Sequence, residues 1–149
     1  MASAQNILLL NGPNLNLLGT REPLIYGTAT LAEHVAAAQK AAETLGFTLE
    51  SFQSNSASAL IEKIHQAREK FAAIMINPGA LTHYAWSITD ALSAFDGPVI
   101  EIHISNPQSR ESWRHASVVA PVSLGTIAGF GQQSYVLGVQ AIAHHLQNR

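Results

Sequence analysis

Hydrophobic positions along this 149-residue chain gather into five short runs, and most of the stretches between them repeat with helical spacing. Asn6-Ile7-Leu8-Leu9-Leu10 is apolar without alternation, the pattern of a strand covered on both faces. Phe47 to Phe52 and Phe71-Ala72-Ala73-Ile74-Met75-Ile76 predict the second and third strands. Gly97-Pro98 leads into a fourth that begins at Val99, and Ser117 to Ser123 reads as a fifth. Between the first two strands, Thr30-Leu31-Ala32-Glu33 has the form of a capping box. The alanine-rich helix it starts runs to about Leu45 and stops at Gly46. Further helices are expected from about Ala57 to Lys70, with Leu60, Ile61 and Ile64 on one side, from about His83 to Ser93, and from about Gln132 to Gln147.

Strands separated largely by helices, joined by right-handed crossovers, make a parallel sheet. The expected architecture is α/β: one domain over residues 1–149, a flavodoxin-like open parallel five-stranded sheet of order 2-1-3-4-5, helices on both faces. Its ligand crevice lies at the carboxyl ends of strands 1 and 3. Residues 1–5 are expected to form a flexible N-terminus.

The fourth run departs from the rule for a central strand. Glu101, His103 and Ser105 fall on one face of it, with Ile102 and Ile104 on the other. A polar face there means either a buried structural network or a catalytic imidazole. The other strand ends carry Asn11-Gly12-Pro13-Asn14, Gln53-Ser54-Asn55 and Asn77-Pro78-Gly79. Any one such asparagine suits a turn, but four polar strand ends beside an oversized first loop favour a small-molecule site. Arg21, Arg110 and Arg114 fall in loops or at element edges, where they suit a carboxylate or phosphate.

Composition narrows the chemistry. With net charge -2 and eight basic residues there is no nucleic-acid patch, and no apolar run approaches membrane-spanning length. The absence of cysteine removes disulfides, thiolate nucleophiles and Cys-based metal sites. No secretory signal is readable at Met1-Ala2-Ser3-Ala4-Gln5, and a soluble, cytoplasmic protein is expected. Gly12 to Thr20 lacks both the Gly-Lys-Ser/Thr ending of a phosphate loop and the Gly-x-Gly-x-x-Gly spacing. Glu101 and His103 have no third ligand at useful spacing for a metal. Lys40, Lys63 and Lys70 fall on helices away from the strand ends, and Ser105 lacks the Gly-x-Ser-x-Gly elbow of a hydrolase. His34, His65, His144 and His145 fall on helices as surface or packing residues.

Taken together, Asn11-Gly12-Pro13-Asn14-Leu15-Asn16-Leu17-Leu18-Gly19, Arg21-Glu22-Pro23, Tyr26-Gly27, Gln53-Ser54-Asn55, Asn77-Pro78-Gly79-Ala80, Thr82-His83, Glu101-Ile102-His103-Ile104-Ser105-Asn106, Arg110-Glu111 and Arg114-His115 resemble the type II 3-dehydroquinate dehydratases, from roughly Ile7 to Leu146. The resemblance implies reversible anti-elimination of water from 3-dehydroquinate through an enolate, giving 3-dehydroshikimate, with no cofactor and no metal. It implies Tyr26 as the base at C2 and Arg21, in the same loop, as the cation favouring the tyrosinate. By the same resemblance Asn14 would hold a water at the enolate oxygen, His103 would protonate the departing C1 hydroxyl, and Glu101 would orient or charge-tune that imidazole. For binding, it implies Ser105 and the Ile104 amide at the substrate carboxylate, Asn77, His83 and Arg114 at the ring hydroxyls, and Arg110 in the lid. The family's quaternary state implies trimers assembled into a dodecamer.

Two positions depart from the family pattern together. Ser-Asn-x-Glu-Gly is replaced by Ser54-Asn55-Ser56-Ala57-Ser58, and Arg-Asp by Thr89-Asp90, so an acidic and a basic side chain are absent at once. Ala57 and Thr89 are expected to replace an interacting pair of charges, leaving assembly intact. Tyr84, Ala85 and Trp86 also stand where smaller polar residues are frequent, next to His83.

Overall fold

The computed structural model describes residues 5–149; the rest of the expected flexible N-terminus lies outside them. Five parallel strands form one sheet in the order β2-β1-β3-β4-β5, as expected from the sequence. They are β1 (Asn6–Asn11), β2 (Thr48–Gln53), β3 (Ala73–Asn77), β4 (Val99–His103) and β5 (Gly125–Ala128). The helices are α1 (Pro23–Tyr26), α2 (Leu31–Thr44), α3 (Ala57–Ala67), α4 (Trp86–Ser93) and α5 (Gln132–Gln147).

The unbroken apolar runs mark a sheet buried on both sides. From β1, Ile7 and Leu9 join Met75, Ile100 and Ile102 under α2 and α5, while Leu8 and Leu10 join Ile74, Ile76 and Val99 under α3 and α4. The period of two along each strand thus divides the core into two layers. On the first of these faces Gly138 lets α5 approach, since a Cβ there would sit 3.1 Å from Met75 Cε and 3.2 Å from Ile102 Cγ2. His34 belongs to that packing, stacked on Tyr135 with ring centroids 5.1 Å apart. The N-cap of the expected capping box is present: Thr30 Oγ1 accepts from the Glu33 amide at 3.2 Å. Ser56 caps α3 likewise, accepting from the Ala59 amide at 3.2 Å.

The fifth strand is a correction. Ser117 to Ser123 is not paired into the sheet; β5 is the glycine-led Gly125–Ala128. Pro121 has no N–H for a ladder, and Ser117 Oγ accepts from the amides of Val119 (3.1 Å) and Ala120 (2.9 Å). The apolar run there fills the core with Val118 and Val119 instead of extending the sheet. The helix expected from about His83 to Ser93 begins instead at Trp86, and His83 ends a separate 3-10 turn, Gly79–His83.

Candidate active site

A cleft opens at the carboxyl ends of the strands, lined by Asn14, Arg21, Tyr26, Asn77, His83, His103, Ile104, Ser105, Arg110 and Arg114 among others. Parallel topology brings the strand ends together, and the oversized loop after β1 supplies the rest. Gly12 lets that loop touch the turn after β3: a Cβ there would stand 2.4 Å from the Pro78 carbonyl oxygen. Asn14 follows in a left-handed conformation, φ 69°, one that asparagine tolerates better than most residues. Its amide donates to Asn55 Oδ1 at 2.9 Å, and the Gln53 side chain donates to the same oxygen at 3.2 Å. Gln53 and Asn55 thus build the loop that presents Asn14, a role their position in a polar turn did not disclose.

Alternation along β4 directs Glu101 and His103 away from Ile100 and Ile102, as expected. Glu101 has no exposed surface and His103 is 8% exposed. His103 Nε2 lies 2.6 Å from Glu101 Oε2. A carboxylate only accepts, so Nε2 carries a proton and Nδ1 remains as the other ring nitrogen. Around the carboxylate, Thr82 Oγ1 donates at 2.5 Å, Ser117 Oγ at 2.9 and 3.0 Å to the two oxygens, and Thr126 Oγ1 at 3.4 Å. Burial pushes the Glu101 carboxyl up, but the hydrogen bond and charge of His103 and the hydroxyls of Thr82 and Ser117 outweigh it and hold it below the usual carboxyl range. Thr82 and Ser117 were not anticipated as site residues, since their hydroxyls converge only through the turn after β3 and the segment that replaces the expected strand.

Ser105 does not share the strand face with Glu101 and His103, contrary to the sequence reading. β4 ends at His103; Gly129 and Gly131, at φ 96° and 60°, carry the chain after β5 around it and donate to the carbonyls of His103 (3.3 Å) and Ile104 (3.1 Å). Ser105 Oγ instead accepts from Arg110 Nη1 at 3.1 Å. The same nitrogen donates to the Tyr26 hydroxyl at 2.9 Å. Two guanidinium groups lie over the Tyr26 ring, Arg21 Cζ 4.9 Å and Arg110 Cζ 5.1 Å from its centroid. Arg21 also meets Glu22 at 3.3 Å. The contact with the phenol oxygen itself is made by Arg110, from the segment after β4.

The remaining wall is held from outside the cleft. His83 Nδ1 bonds the Ala116 carbonyl at 2.8 Å, which makes Nδ1 the protonated nitrogen, and its ring meets Trp113 edge-on at 5.4 Å. Of the unusual residues next to His83, Tyr84 and Trp86 are exposed and Ala85 is buried in the core layer under α3 and α4. Arg114 lies over Trp113 at 4.0 Å and donates to Glu111 Oε2 at 2.8 Å, and this bond holds the Glu111 carboxyl below its ordinary value. Among the described residues, no group of three or more His, Cys, Asp or Glu is placed to hold a metal. The cleft therefore combines a tyrosine under two cations, a buried carboxylate–imidazole pair and several hydrogen-bonding groups, a set suited to moving two protons on a polar anionic ring.

Comparison with known proteins gives the same picture. The sequence model described as Dehydroquinase class II matches residues 5–143. The chain is similar to the 3-dehydroquinate dehydratase of Trichodesmium erythraeum, 49% identical over 97% of this chain and 96% of the relative. It is equally similar to the catabolic 3-dehydroquinase of Aspergillus clavatus, 49% identical over 97% of both. The crystal structure of type II dehydroquinase from Propionibacterium acnes superposes with a TM-score of 0.89 at 43% identity, covering 94% of this chain and 97% of that one.

Proposed function

The chain belongs to the class II dehydroquinase family, hydro-lyases that dehydrate 3-dehydroquinate to 3-dehydroshikimate, and on that premise we propose how its own residues divide the reaction. The enzyme acts on 3-dehydroquinate, a step used in the shikimate pathway and in quinate breakdown alike. The observation that carries the division of labour is the placing of Tyr26 beneath Arg21 and Arg110, in one cleft with the Glu101–His103 pair.

Tyr26, as the phenolate, takes the C2 proton, and the C–H electron pair moves into the ring as an enolate. Both guanidinium groups set positive charge beside the phenol, Arg110 through its hydrogen bond to the oxygen and Arg21 from over the ring. Asn14 positions a water against the enolate oxygen, where negative charge develops. His103 then protonates the C1 hydroxyl, which leaves as water while the enolate pair forms the C1–C2 double bond. Nδ1 is the nitrogen for that transfer, because Nε2 is engaged by Glu101. Ser105 and the Ile104 amide receive the carboxylate; Asn77, His83 and Arg114 receive the ring hydroxyls. Arg110 joins α1 to the segment after β4, so the loop bearing Tyr26 closes as a lid on the arginine that activates it. No step calls for a cofactor.

One catalytic domain suffices, since every lining residue comes from a strand end or from the segment that follows one. The protein assembles as trimers joined into a dodecamer, a reading supported by the exposed apolar side chains Leu124 and Phe130 flanking β5, which pairs with β4 alone in the described residues. Among those residues no helix is long and apolar enough to cross a membrane. A cytoplasmic setting suits a chain without cysteine, which needs no oxidising compartment.

The test is the ultraviolet absorbance of the enone product after 3-dehydroquinate is added. Tyr26→Phe is expected to lower kcat by roughly 100-fold or more with the fold retained, the scale of a lost general base. Turnover within tenfold of the parent would remove Tyr26 from the role.

A further inference from the structure

Behind the cleft runs a line of polar side chains that the reaction scheme leaves unused. Asn11 ends β1 and Asn77 ends β3, paired side by side in the sheet register, and Tyr135 reaches them from α5. All three are buried, Asn11 and Tyr135 completely. Leu9 and Met75, two residues earlier on the same faces, are ordinary core. The bonds its members make to one another hold this cluster at depth, although Asn11 Nδ2 has no hydrogen-bond partner.

The direction of the line follows from one backbone group. The Gly79 amide donates to Asn77 Oδ1 at 3.2 Å, and a backbone N–H has no other role open to it. Oδ1 is thereby fixed on the Gly79 side and Nδ2 on the Tyr135 side. Asn77 Nδ2 donates to the Tyr135 hydroxyl at 3.0 Å, so that hydroxyl accepts there and spends its single proton on Asn11 Oδ1 at 2.6 Å. Burial pushes the Tyr135 phenol well above its ordinary range, which keeps the proton this arrangement needs. The Asn77 amide is thus held at both ends, with one N–H of Nδ2 left over, and Asn77 lines the cleft.

We propose that Tyr135 is a positioning residue for substrate: its hydroxyl locks the Asn77 amide in the one orientation that turns an N–H towards a ring hydroxyl. The proposal rests on the reading of Asn77 as a substrate contact. Without the Tyr135 hydroxyl, Asn77 keeps only the Gly79 bond, and a buried amide donor is left to find another partner. The Gly79 bond still decides which atom faces which way, but with one anchor the amide can tilt and carry its free N–H out of line with substrate. The effect belongs to binding, because the reacting protons move elsewhere in the cleft, at Tyr26 and His103.

Tyr135→Phe isolates the hydroxyl, since the ring and its stacking on His34 remain. Steady-state kinetics with 3-dehydroquinate are expected to show KM raised roughly five- to tenfold, the size of one buried hydrogen bond, with kcat within about twofold. In an Asn77→Ala background the same substitution should raise KM no further, because the contact it orients is gone. Asn11→Ala, which removes only the acceptor for the Tyr135 proton, should raise KM in the same direction by less, and serves if Tyr135→Phe does not fold. A lower Tm with unchanged KM would make the hydroxyl purely structural and overturn the proposal. So would a KM rise of equal size in both backgrounds. An unchanged KM in Asn77→Ala alone would remove Asn77 from the substrate site and the proposal with it, while product formation by the parent would leave the activity standing.

Discussion

Glu101 is a carboxylate without exposed surface, and its neighbours supply what water would. His103 and the hydroxyls of Thr82 and Ser117 more than offset the cost of burial, so the native carboxyl titrates below its ordinary value of about 4.5. The sign of the linkage follows. In the native state Glu101 takes its proton at lower pH than in the unfolded chain, so between the two values the unfolded state binds more protons. The stability Glu101 contributes is complete above the ordinary carboxyl range and is lost as pH falls through the native value. Glu101→Gln should therefore flatten the dependence of Tm on pH over roughly pH 6 to 3, when compared with the parent by thermal unfolding. At neutral pH the same variant should be less stable by about 1–3 kcal/mol, because hydroxyl donors aimed at a charge now meet an amide. An unchanged acid slope would mean that other carboxyls dominate acid unfolding.

Among the elements, the loop after β1 is anchored where it begins. It passes the turn after β3 at Gly12, where its amide donates to the Asn77 carbonyl at 2.8 Å and a side chain has no room beside Pro78. Gly12→Ala should cost about 1–3 kcal/mol by denaturant unfolding and lower activity as well, since Asn14 and the path to Tyr26 hang from that point. Stability equal to the parent's would show that the two loops can separate freely. The same elements show what sequence can disclose. Parallel strands, caps and the Glu101–His103 alternation were legible because each is local: a period of two or a Thr-x-x-Glu spacing. The fifth strand was not, because Ser117 and Pro121 divert a β-branched run and a four-residue strand led by glycine carries little pattern. The bonds from Arg110 to Tyr26 and from Tyr135 to Asn11 join residues 84 and 124 positions apart, and no local spacing encodes them. Motif resemblance supplied Tyr26 and Arg110 as residues; only the fold shows that they touch. Tyr135 had no motif around it, and its place in a helix gave no sign of a role.

At the scale of the whole molecule, the positions that depart from the family pattern offer a test of the proposed assembly. Ala57 packs against the core layer under α3 and α4, and Thr89 Oγ1 donates to the Val118 carbonyl at 2.8 Å. Neither position carries a charge, so the interaction a charge pair would supply is replaced within the subunit by packing and by a neutral hydrogen bond. Such a bond contributes about 0.5–1.5 kcal/mol, comparable with an exposed ion pair, and is not weakened by salt. If assembly depends on apolar contact through side chains such as Leu124 and Phe130, it should survive both dilution and high salt. Sedimentation velocity should then show one species of about 190 kDa, twelve chains of 15.9 kDa, at low micromolar concentration with or without added salt. The double variant Ala57→Glu, Thr89→Arg should gain nothing in the parent's low-salt buffer and become salt-sensitive, because it exchanges the bond to Val118 for a screened pair. Dissociation of the parent on dilution, cured by those two charges, would show that the lost pair had held the assembly together and that nothing in the subunit had taken its place.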